Sequence, residues 1–330
     1  GLGQVTKSSA NLFLYSLPFS LILFNFKSER KLSNFIKWIF LATLAAFISF
    51  VIYNLLRVSQ YFYIINRKNL EFIRPISEVL QNPLLLVFSN SKTIVFWLID
   101  YSGILLIALL IATIIYGFVK RNKQIIYLTT IITLPIVAIV LFNKILYPRF
   151  LLFFYPYIIT IISYGFYKLQ SLVKNKATFI TLAAIILAMP LLQSFNIITN
   201  PLKAKLPYAD AFQLRDGWPA GYGVKEIVEY LKNESKDKKV IVGTEGTFGL
   251  YPYALNIYFF DNKNLEVQAF WPVNPKALPS DMLNKSKQTK TFFIFNENQS
   301  NIDNPNLKLI SRYKKGNGES YMRLYEVTPL

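Results

Sequence analysis

Apolar residues in the first two thirds of the chain form long runs in which Lys37, near the start of the second run, is the one lysine or arginine. A helix needs about 20 mostly apolar residues to cross a bilayer. The runs long enough to serve as spans are residues 8–26, 35–56, 102–119, 124–142, 150–167 and 178–198. The pattern therefore predicts an α-helical polytopic membrane domain over residues 1–199.

The segment between the second and third predicted spans, residues 57–101, has a different pattern. Its apolar stretches are too short to cross a bilayer, and they are interrupted by Pro75, Pro83 and the polar sequence SNSK. Such stretches favour helices that lie on the membrane surface. We therefore expect an interfacial loop on the outer leaflet.

Beyond residue 200 the hydrophobic runs shorten and begin to alternate with polar residues. VKEIVEYLKNES has helical spacing and TFGLYPYALNIYFF is a further helix candidate, whereas KVIVG, LEVQAF, TFFIFN, LKLISRY and SYMRLYEV indicate strands. KKGNGE between the last two strands is typical of a hairpin turn. Residues 200–330 are therefore predicted to form a small soluble α/β domain.

The distribution of charge predicts the orientation of these elements in the membrane. The net charge is +18, but only four of the 18 acidic residues precede residue 200, so the excess of about +14 belongs to the apolar part. Ten basic residues and one acid lie in the short loops 27–37, 120–123 and 168–176. Basic short loops stay in the cytoplasm. This predicts a multi-pass plasma-membrane protein with an extracytoplasmic C-terminal domain, and it argues against a nucleic-acid partner.

The absence of cysteine and histidine limits the available chemistry. It excludes disulfides, Cys or His metal sites, and catalysis by Ser-His or Cys-His pairs. Carboxylates, lysine, arginine, tyrosine or a metal held by oxygen ligands remain.

Two basic residues lie at the predicted outer ends of spans, where a lipid phosphate would be found. Lys7 precedes the first span and Arg149 precedes the fifth. Either side chain is suited to a phosphate or to anchoring at the interface, and an arginine fork also suits two-pronged phosphate contact. Asp100, at the edge of the third span, and Tyr147, beside Arg149, are candidate substrate contacts. For Asp100 the alternative is a solvated interfacial carboxylate.

Two further candidate contacts belong to the predicted soluble domain. Glu245 lies in VGTEGTFG, between a strand and a helix candidate, where open α/β sheets bind ligands. The alternative is that the glycines of this segment only allow a tight turn. Trp218 lies in the aromatic, turn-rich RDGWPAGYG, which suits sugar or lipid contact or capping of the next helix.

Three stretches of the chain together resemble the C-superfamily membrane glycosyltransferases of family 39, the protein mannosyltransferase and aminoarabinose transferase-like group. GLGQVTKSSANLFLYSLPFSLIL is similar to that group's GLxxLTKxxA span, and YPRFLLFFYPYIITIISYG is similar to its RYLLPxxP span. The third stretch, GWPAGYGVKEIVEYL with VIVGTEGTFGLYPYAL, resembles the extracytoplasmic domain of bacterial members.

The resemblance implies transfer of a sugar from a polyprenyl-phosphate donor to an outer-face glycan, lipid or protein acceptor, with inversion. It assigns Lys7 and Arg149 to the donor phosphate. The family's acidic residue, which acts as a base or holds a metal, lies in a loop before the lysine-bearing span. That loop has no counterpart after Gly1, so the catalytic acid is expected upstream, a divalent metal stays open as a cofactor, and the chain alone is expected to be inactive. A non-enzymatic transporter or envelope assembly protein is the alternative.

Overall fold

The structure is a computed structural model that describes residues 1–6, 10–247, 249–300 and 302–329, apart from the side chains of residues 66 and 68. The chain divides into two compact units, Gly1–Gln193 and Ser194–Leu330. The boundary lies within one long helix.

The first unit is helical. Short 3-10 segments at Leu17–Leu23, Leu55–Val58 and Pro148–Phe154 lie between its α-helices. The α-helices are α1 (Leu2–Thr6), α2 (Asn11–Tyr15), α3 (Lys31–Asn54), α4 (Phe62–Phe72), α5 (Ile76–Gln81), α6 (Val87–Ser102), α7 (Ile104–Val119), α8 (Lys123–Phe142), α9 (Tyr155–Leu172) and α10 (Lys176–Thr199).

Several of these helices are long and apolar enough to cross a membrane. In the described part of the chain, four pass that test: Lys31–Val58, Lys123–Phe142, Pro148–Leu172 and Lys176–Thr199. They coincide with the second, fourth, fifth and sixth predicted spans. The prediction of a helical membrane protein is therefore supported at this level.

The first predicted span, residues 8–26, is not one continuous helix where the structure describes it. Helix α2 ends at Tyr15, and Leu17–Leu23 continues as a 3-10 helix with Pro18 in its first turn. Proline has no backbone N–H to donate to the carbonyl four residues earlier, so it disfavours continuation of an α-helix. Hydropathy alone did not reveal this break.

The third predicted span, residues 102–119, is also different. Helix α7 begins at Ile104, and α6 precedes it at an angle of 113° across Gly103. Gly103 has a φ of +79°, a conformation that side-chain-bearing residues rarely adopt. The predicted outer loop 57–101 therefore contains all but the last residue of α6, a 16-residue helix that passes the spanning test only together with α7.

Close packing of α7, α8 and α9 gives the first unit its interior. Gly165 of α9 faces Thr113 of α7, and Gly117 of α7 faces Ile125 of α8, with no space for a Cβ at either glycine. Small residues at such contacts let membrane helices approach closely. These contacts fix the helices that support the site described below.

The second unit contains a five-stranded mixed sheet. The strands are β1 (Val240–Glu245), β2 (Leu265–Phe270), β3 (Lys290–Phe295), β4 (Leu307–Lys314) and β5 (Tyr321–Val327), in the order β2-β1-β3-β5-β4. Strand β1 is parallel to β2 and β3, whereas β5 is antiparallel to β3 and β4. The predicted small sheet domain is confirmed.

Helices cover the sheet of the second unit. They are α11 (Tyr208–Ala211), which continues as a π-helix (Phe212–Asp216), α12 (Val224–Glu234), α13 (Tyr253–Tyr258) and α14 (Ser280–Ser286), and a 3-10 turn (Pro201–Lys203) precedes them. One face of α12, including Ile227 and Leu231, is fully buried in the main core with Phe292 and Leu324. The helix expected over residues 247–260 is thus limited to α13.

Candidate functional site

A cavity of about 710 Å³ lies within the first unit. Its walls come from α1, α2, α3, α4, α8 and the 3-10 segments Leu55–Val58 and Pro148–Phe154. The walls are mostly aromatic and aliphatic, and polar groups are few. Its polar or charged lining residues include Gln4, Thr6, Asn11, Asn69, Asn143 and Arg149.

Aromatic contacts hold two distant parts of the sequence together at this cavity. The ring centroid of Phe13, on α2, lies 6.4 Å from that of Phe153, 6.0 Å from that of Phe154 and 5.7 Å from that of Tyr157. Aromatic pairs at these separations and tilts are favourable beyond the area that they bury. The two stretches that carry the family resemblance in the first unit are therefore in direct contact.

A buried arginine fixes the end of α8, directly before Asn143, which lines the cavity. Arg74 is 1% exposed, and its guanidinium donates to the carboxylate of Glu78 at 2.9 Å and to the carbonyls of Asn82 and Leu141. Its backbone N–H donates to the carbonyl of Phe142 at 2.7 Å. The last carbonyls of a helix have no partner within the helix, so these bonds cap α8.

Asn90 of α6 strengthens the same helix end. Its side-chain amide is buried and donates to the carbonyls of Val140 and Asn143, both at 3.0 Å. The sequence pattern predicted no role for Arg74 or Asn90. The local sequence around a single arginine between two apolar stretches does not indicate which backbone carbonyls its guanidinium will bind.

Arg149 lies on the 3-10 segment Pro148–Phe154 and lines the cavity. Its guanidinium carbon is 4.5 Å from the centre of the Tyr147 ring, within the range of a cation–π contact. Tyr147 also packs edge-on against Phe150 at 5.8 Å. Tyr147 thus contacts the arginine, and the arginine contributes a positive charge to a mostly apolar wall.

The other two predicted residues of this unit have different outcomes. Lys7 lies outside the described residues, although Thr6 and Asn11 on either side of that gap both line the cavity. Asp100 is half-buried near the end of α6, and it is not among the described residues that line this cavity. The structure therefore brings Arg149, but not Asp100, to the cavity wall.

In the second unit, Glu245 ends β1 and is only 3% exposed. Its Oε2 accepts the backbone N–H groups of Asn296, Glu297 and Asn298 at 2.9, 2.8 and 2.8 Å. These residues directly follow β3. The glutamate therefore orders the loop at the carboxyl edge of the parallel strands.

Lys315 enters the same edge from the β4–β5 hairpin and is fully buried. Its ammonium donates to the Trp218 carbonyl at 2.6 Å and to the Asn296 side-chain oxygen, and Asn296 itself donates to the Trp218 carbonyl at 3.0 Å. Burial lowers the pKa of Lys315 to about 8, and the charge of Glu297 partly opposes this. The pKa of Glu297 is raised, first by burial and then by repulsion from Glu245.

Open α/β sheets bind ligands at the carboxyl ends of parallel strands where the strand order reverses. In this sheet that position lies between β1 and β3. Here the chain's own groups occupy it: Glu245, Asn296 and Lys315, with the carbonyl of Trp218. The Trp218 ring also lies beside Gly249. Among the described contacts these predicted residues hold loops of the second unit together.

A neighbouring ion pair connects the first residues of this unit with the β4–β5 hairpin. Arg215 makes a two-pronged contact with Asp216 at 2.7 and 2.8 Å, and it also donates to the carbonyls of Pro201 and Ala204. The backbone N–H of Asn317 donates to Asp216 at 2.9 Å. The hydrogen bond from Arg215 is the main reason that the pKa of Asp216 is lowered.

Comparison of the chain with protein-family models, with curated proteins and with solved structures finds no match. Within the described residues, no three His, Cys, Asp or Glu side chains are grouped as metal ligands. The cavity of the first unit is the arrangement best suited to binding.

Proposed function

We propose that the chain is part of a membrane glycosyltransferase and that the cavity of the first unit holds its polyprenyl-phosphate sugar donor. The observation that carries this proposal is that two motif-bearing stretches, distant in sequence, line one cavity. Asn11 comes from the first stretch and Arg149 from the second. If the two stretches served only to anchor the chain in the membrane, they would not need to contact each other.

The composition of the cavity suits a lipid phosphate. Its aromatic and aliphatic walls, including Phe13, Phe150 and Phe154, offer an apolar surface for an isoprenoid chain. Arg149 supplies a charged fork that can donate two hydrogen bonds to phosphate oxygens. The contact with Tyr147 limits the freedom of the arginine, so less conformational entropy is lost on binding. Lys7 is proposed as the second cation, on the resemblance alone.

The charge distribution supports placing this cavity towards the outer face. Lys120, Arg121 and Lys123 surround the start of α8, and the positive-inside rule assigns such a loop to the cytoplasm. The 20 residues of α8 rise about 30 Å, the thickness of the bilayer core. Asn143 and Arg149, after the other end of α8, would then lie at the opposite surface. We propose the same side for the second unit.

The experiment is a binding measurement with polyprenyl phosphate, using the purified full chain in lipid nanodiscs. Arg149→Gln should weaken binding by roughly tenfold to a hundredfold, because hydrogen bonds to charged groups contribute about 1.5–3 kcal/mol. Arg121→Gln is the matched control, since Arg121 is an exposed arginine in the α7–α8 loop. Lys7→Ala should weaken binding by a similar factor. Equal affinity of the Arg149→Gln and wild-type proteins would reject the proposal.

One observation favours the alternative of a transporter. The 113° bend between α6 and α7 has the form of a broken helix, which transporters use at their substrate sites. A transporter must alternate between two arrangements, so spin labels at Phe96 and Leu105, on either side of Gly103, should give two distance populations. A single narrow population would leave the transferase as the proposal.

A further inference from the structure

A lysine near the end of α9 lies among three tyrosine rings of the first unit. The ammonium of Lys168 is 5.3 Å from the ring centres of Tyr164 and Tyr167, on its own helix, and 5.7 Å from that of Tyr116 on α7. All three distances are within the range of a cation–π contact. These contacts hold the ammonium in place but leave its charge, because the rings carry no net charge.

Close packing of α7, α8 and α9 brings this cluster together. Gly117, which directly follows Tyr116, packs against Ile125 of α8 with no space for a Cβ. Asn122, the N-cap of α8, donates from its side-chain amide to the hydroxyl oxygen of Tyr164 at 3.2 Å. The end of α7, the start of α8 and the end of α9 therefore contribute to one site.

The polar groups of the cluster are left with protons to donate and with positive charge. Among the described residues, the ionisable neighbours of the Lys168 ammonium are tyrosines, and no carboxylate is one of them. Tyr164 accepts from Asn122, and no described hydrogen bond uses its own hydroxyl proton. Arg121 and Lys123, on either side of Asn122, add further positive charge. An anion fits this cluster, since it accepts from these donors and offsets their charge.

The surface around the cluster is apolar, which favours a lipid over a soluble anion. Phe118 and Val119, at the end of α7, are 51% and 71% exposed, and Leu172, at the end of α9, is 79% exposed. The cluster lies near the end of Pro148–Leu172, which is long and apolar enough to cross a membrane. Tyrosines are enriched where such helices meet the membrane surface, and basic pockets between them bind anionic head groups. A soluble anion would gain nothing from this apolar surface.

We propose that Lys168 and Tyr164 bind the head-group phosphate of an anionic phospholipid, whose acyl chains lie along the apolar surface of α7 and α9. Lys168 donates from its ammonium and Tyr164 from its hydroxyl, both to phosphate oxygens. A zwitterionic phosphatidylcholine binds more weakly, because its quaternary ammonium adds positive charge to a site that already has an excess. This site is separate from the cavity of the first unit, since it lies at the start of α8 whereas the cavity is lined by residues near the other end of that helix.

The test is native mass spectrometry of the full chain in micelles that contain phosphatidylglycerol and phosphatidylcholine with the same acyl chains. The wild-type chain should retain phosphatidylglycerol in preference to phosphatidylcholine. Lys168→Gln should weaken phosphatidylglycerol binding by roughly tenfold or more, as expected for a lost hydrogen bond between charged groups. Tyr164→Phe, which keeps the ring, should weaken it by roughly three- to tenfold. Lys174→Gln is the matched control, since Lys174 is an exposed lysine in the loop after α9, and it should bind as the wild type does.

Several results would overturn the proposal. A wild-type chain that does not prefer phosphatidylglycerol has no such site. Equal losses in Lys168→Gln and Lys174→Gln would mean general attraction to a basic loop rather than binding at the tyrosine cluster. Displacement of the lipid by excess inorganic phosphate, at an ionic strength held constant with sodium chloride, would identify a site for a soluble anion. If Lys168→Gln does not fold, unchanged binding by Tyr164→Phe rejects the site in its place.

Discussion

The buried ammonium of Lys315 makes the stability of the second unit depend on pH in a distinctive way. Burial lowers its pKa from 10.5, the ordinary value for lysine, to about 8. In the unfolded chain the side chain returns to water and regains the ordinary value. Folded and unfolded states therefore bind different numbers of protons between these two pH values.

The sign and the size of the effect follow from this difference. Below pH 8 Lys315 is protonated in both states, so the free energy of unfolding does not change with pH on its account. Above pH 8 the folded state loses a proton that the unfolded state keeps, so stability rises with pH. The full change is about 3 kcal/mol, of which about 2 kcal/mol is gained between about pH 7 and about pH 9.5.

Tryptophan fluorescence can report this change for the second unit alone. Of the four tryptophans, Trp218 and Trp271 belong to that unit, whereas Trp38 and Trp97 belong to the first. Replacing the latter two with Phe leaves a signal from the second unit in the full chain. Urea titrations at about pH 7 and about pH 9.5 then give its free energy of unfolding at each pH.

Lys315→Met should remove the rise, because methionine fills similar space and does not titrate. Lys308→Met is the control, since Lys308 is an exposed lysine of β4, and it should retain the wild-type rise. Comparing the differences between two pH values cancels the contributions of other titrating groups. If the wild-type and Lys315→Met proteins gain the same stability, Lys315 is hydrated and the reasoning is wrong.

Three further predictions address topology, phosphate binding and acid stability. A cysteine at Asn122 should be protected from an impermeant thiol reagent in intact cells, whereas one at Asn262 should react, and the reverse pattern would contradict the proposed orientation. Arg149→Lys should bind polyprenyl phosphate more weakly than wild type, because an ammonium cannot make a two-pronged contact. Isothermal titration calorimetry in nanodiscs would measure the affinity, and an unchanged affinity would contradict the prediction. Arg215 lowers the pKa of Asp216, so that carboxylate stabilises the fold above its ordinary pKa and the stabilisation is lost as pH falls. In urea titrations, Asp216→Asn should therefore reduce the decrease in the free energy of unfolding at acid pH. An unchanged decrease in this variant would exclude the role of Asp216.

Hydropathy predicted most of the helices of the first unit because burial in lipid requires long apolar runs. It could not predict the turn at Gly103, because the residues on both sides are apolar and the change of direction depends on one backbone angle. The 3-10 segment Leu17–Leu23 was missed for a similar reason. Hydropathy measures composition, whereas these two features are determined by local backbone geometry.

Residues of the candidate site could be predicted only where they belong to a sequence motif. Arg149 was found in this way, and it lines the cavity. Lys315 was missed because KKGNGE is typical of an exposed turn, and its burial depends on Trp218 and Asn296 from distant parts of the sequence. The three amides that Glu245 accepts likewise come from residues about fifty positions later. Long-range partners leave no trace in the local pattern.

Arg74 has a consequence for the order in which the first unit can be assembled during synthesis. Its partners Glu78 and Asn82 follow within eight residues, but the carbonyl of Leu141 lies 67 residues further along the chain. At ribosomal rates of about 5–20 residues per second, roughly 3–13 s pass before that carbonyl exists. Until then, Glu78 and Asn82 are the partners already available to the guanidinium. The full set of hydrogen bonds that caps α8 is therefore completed only after the later helix is made.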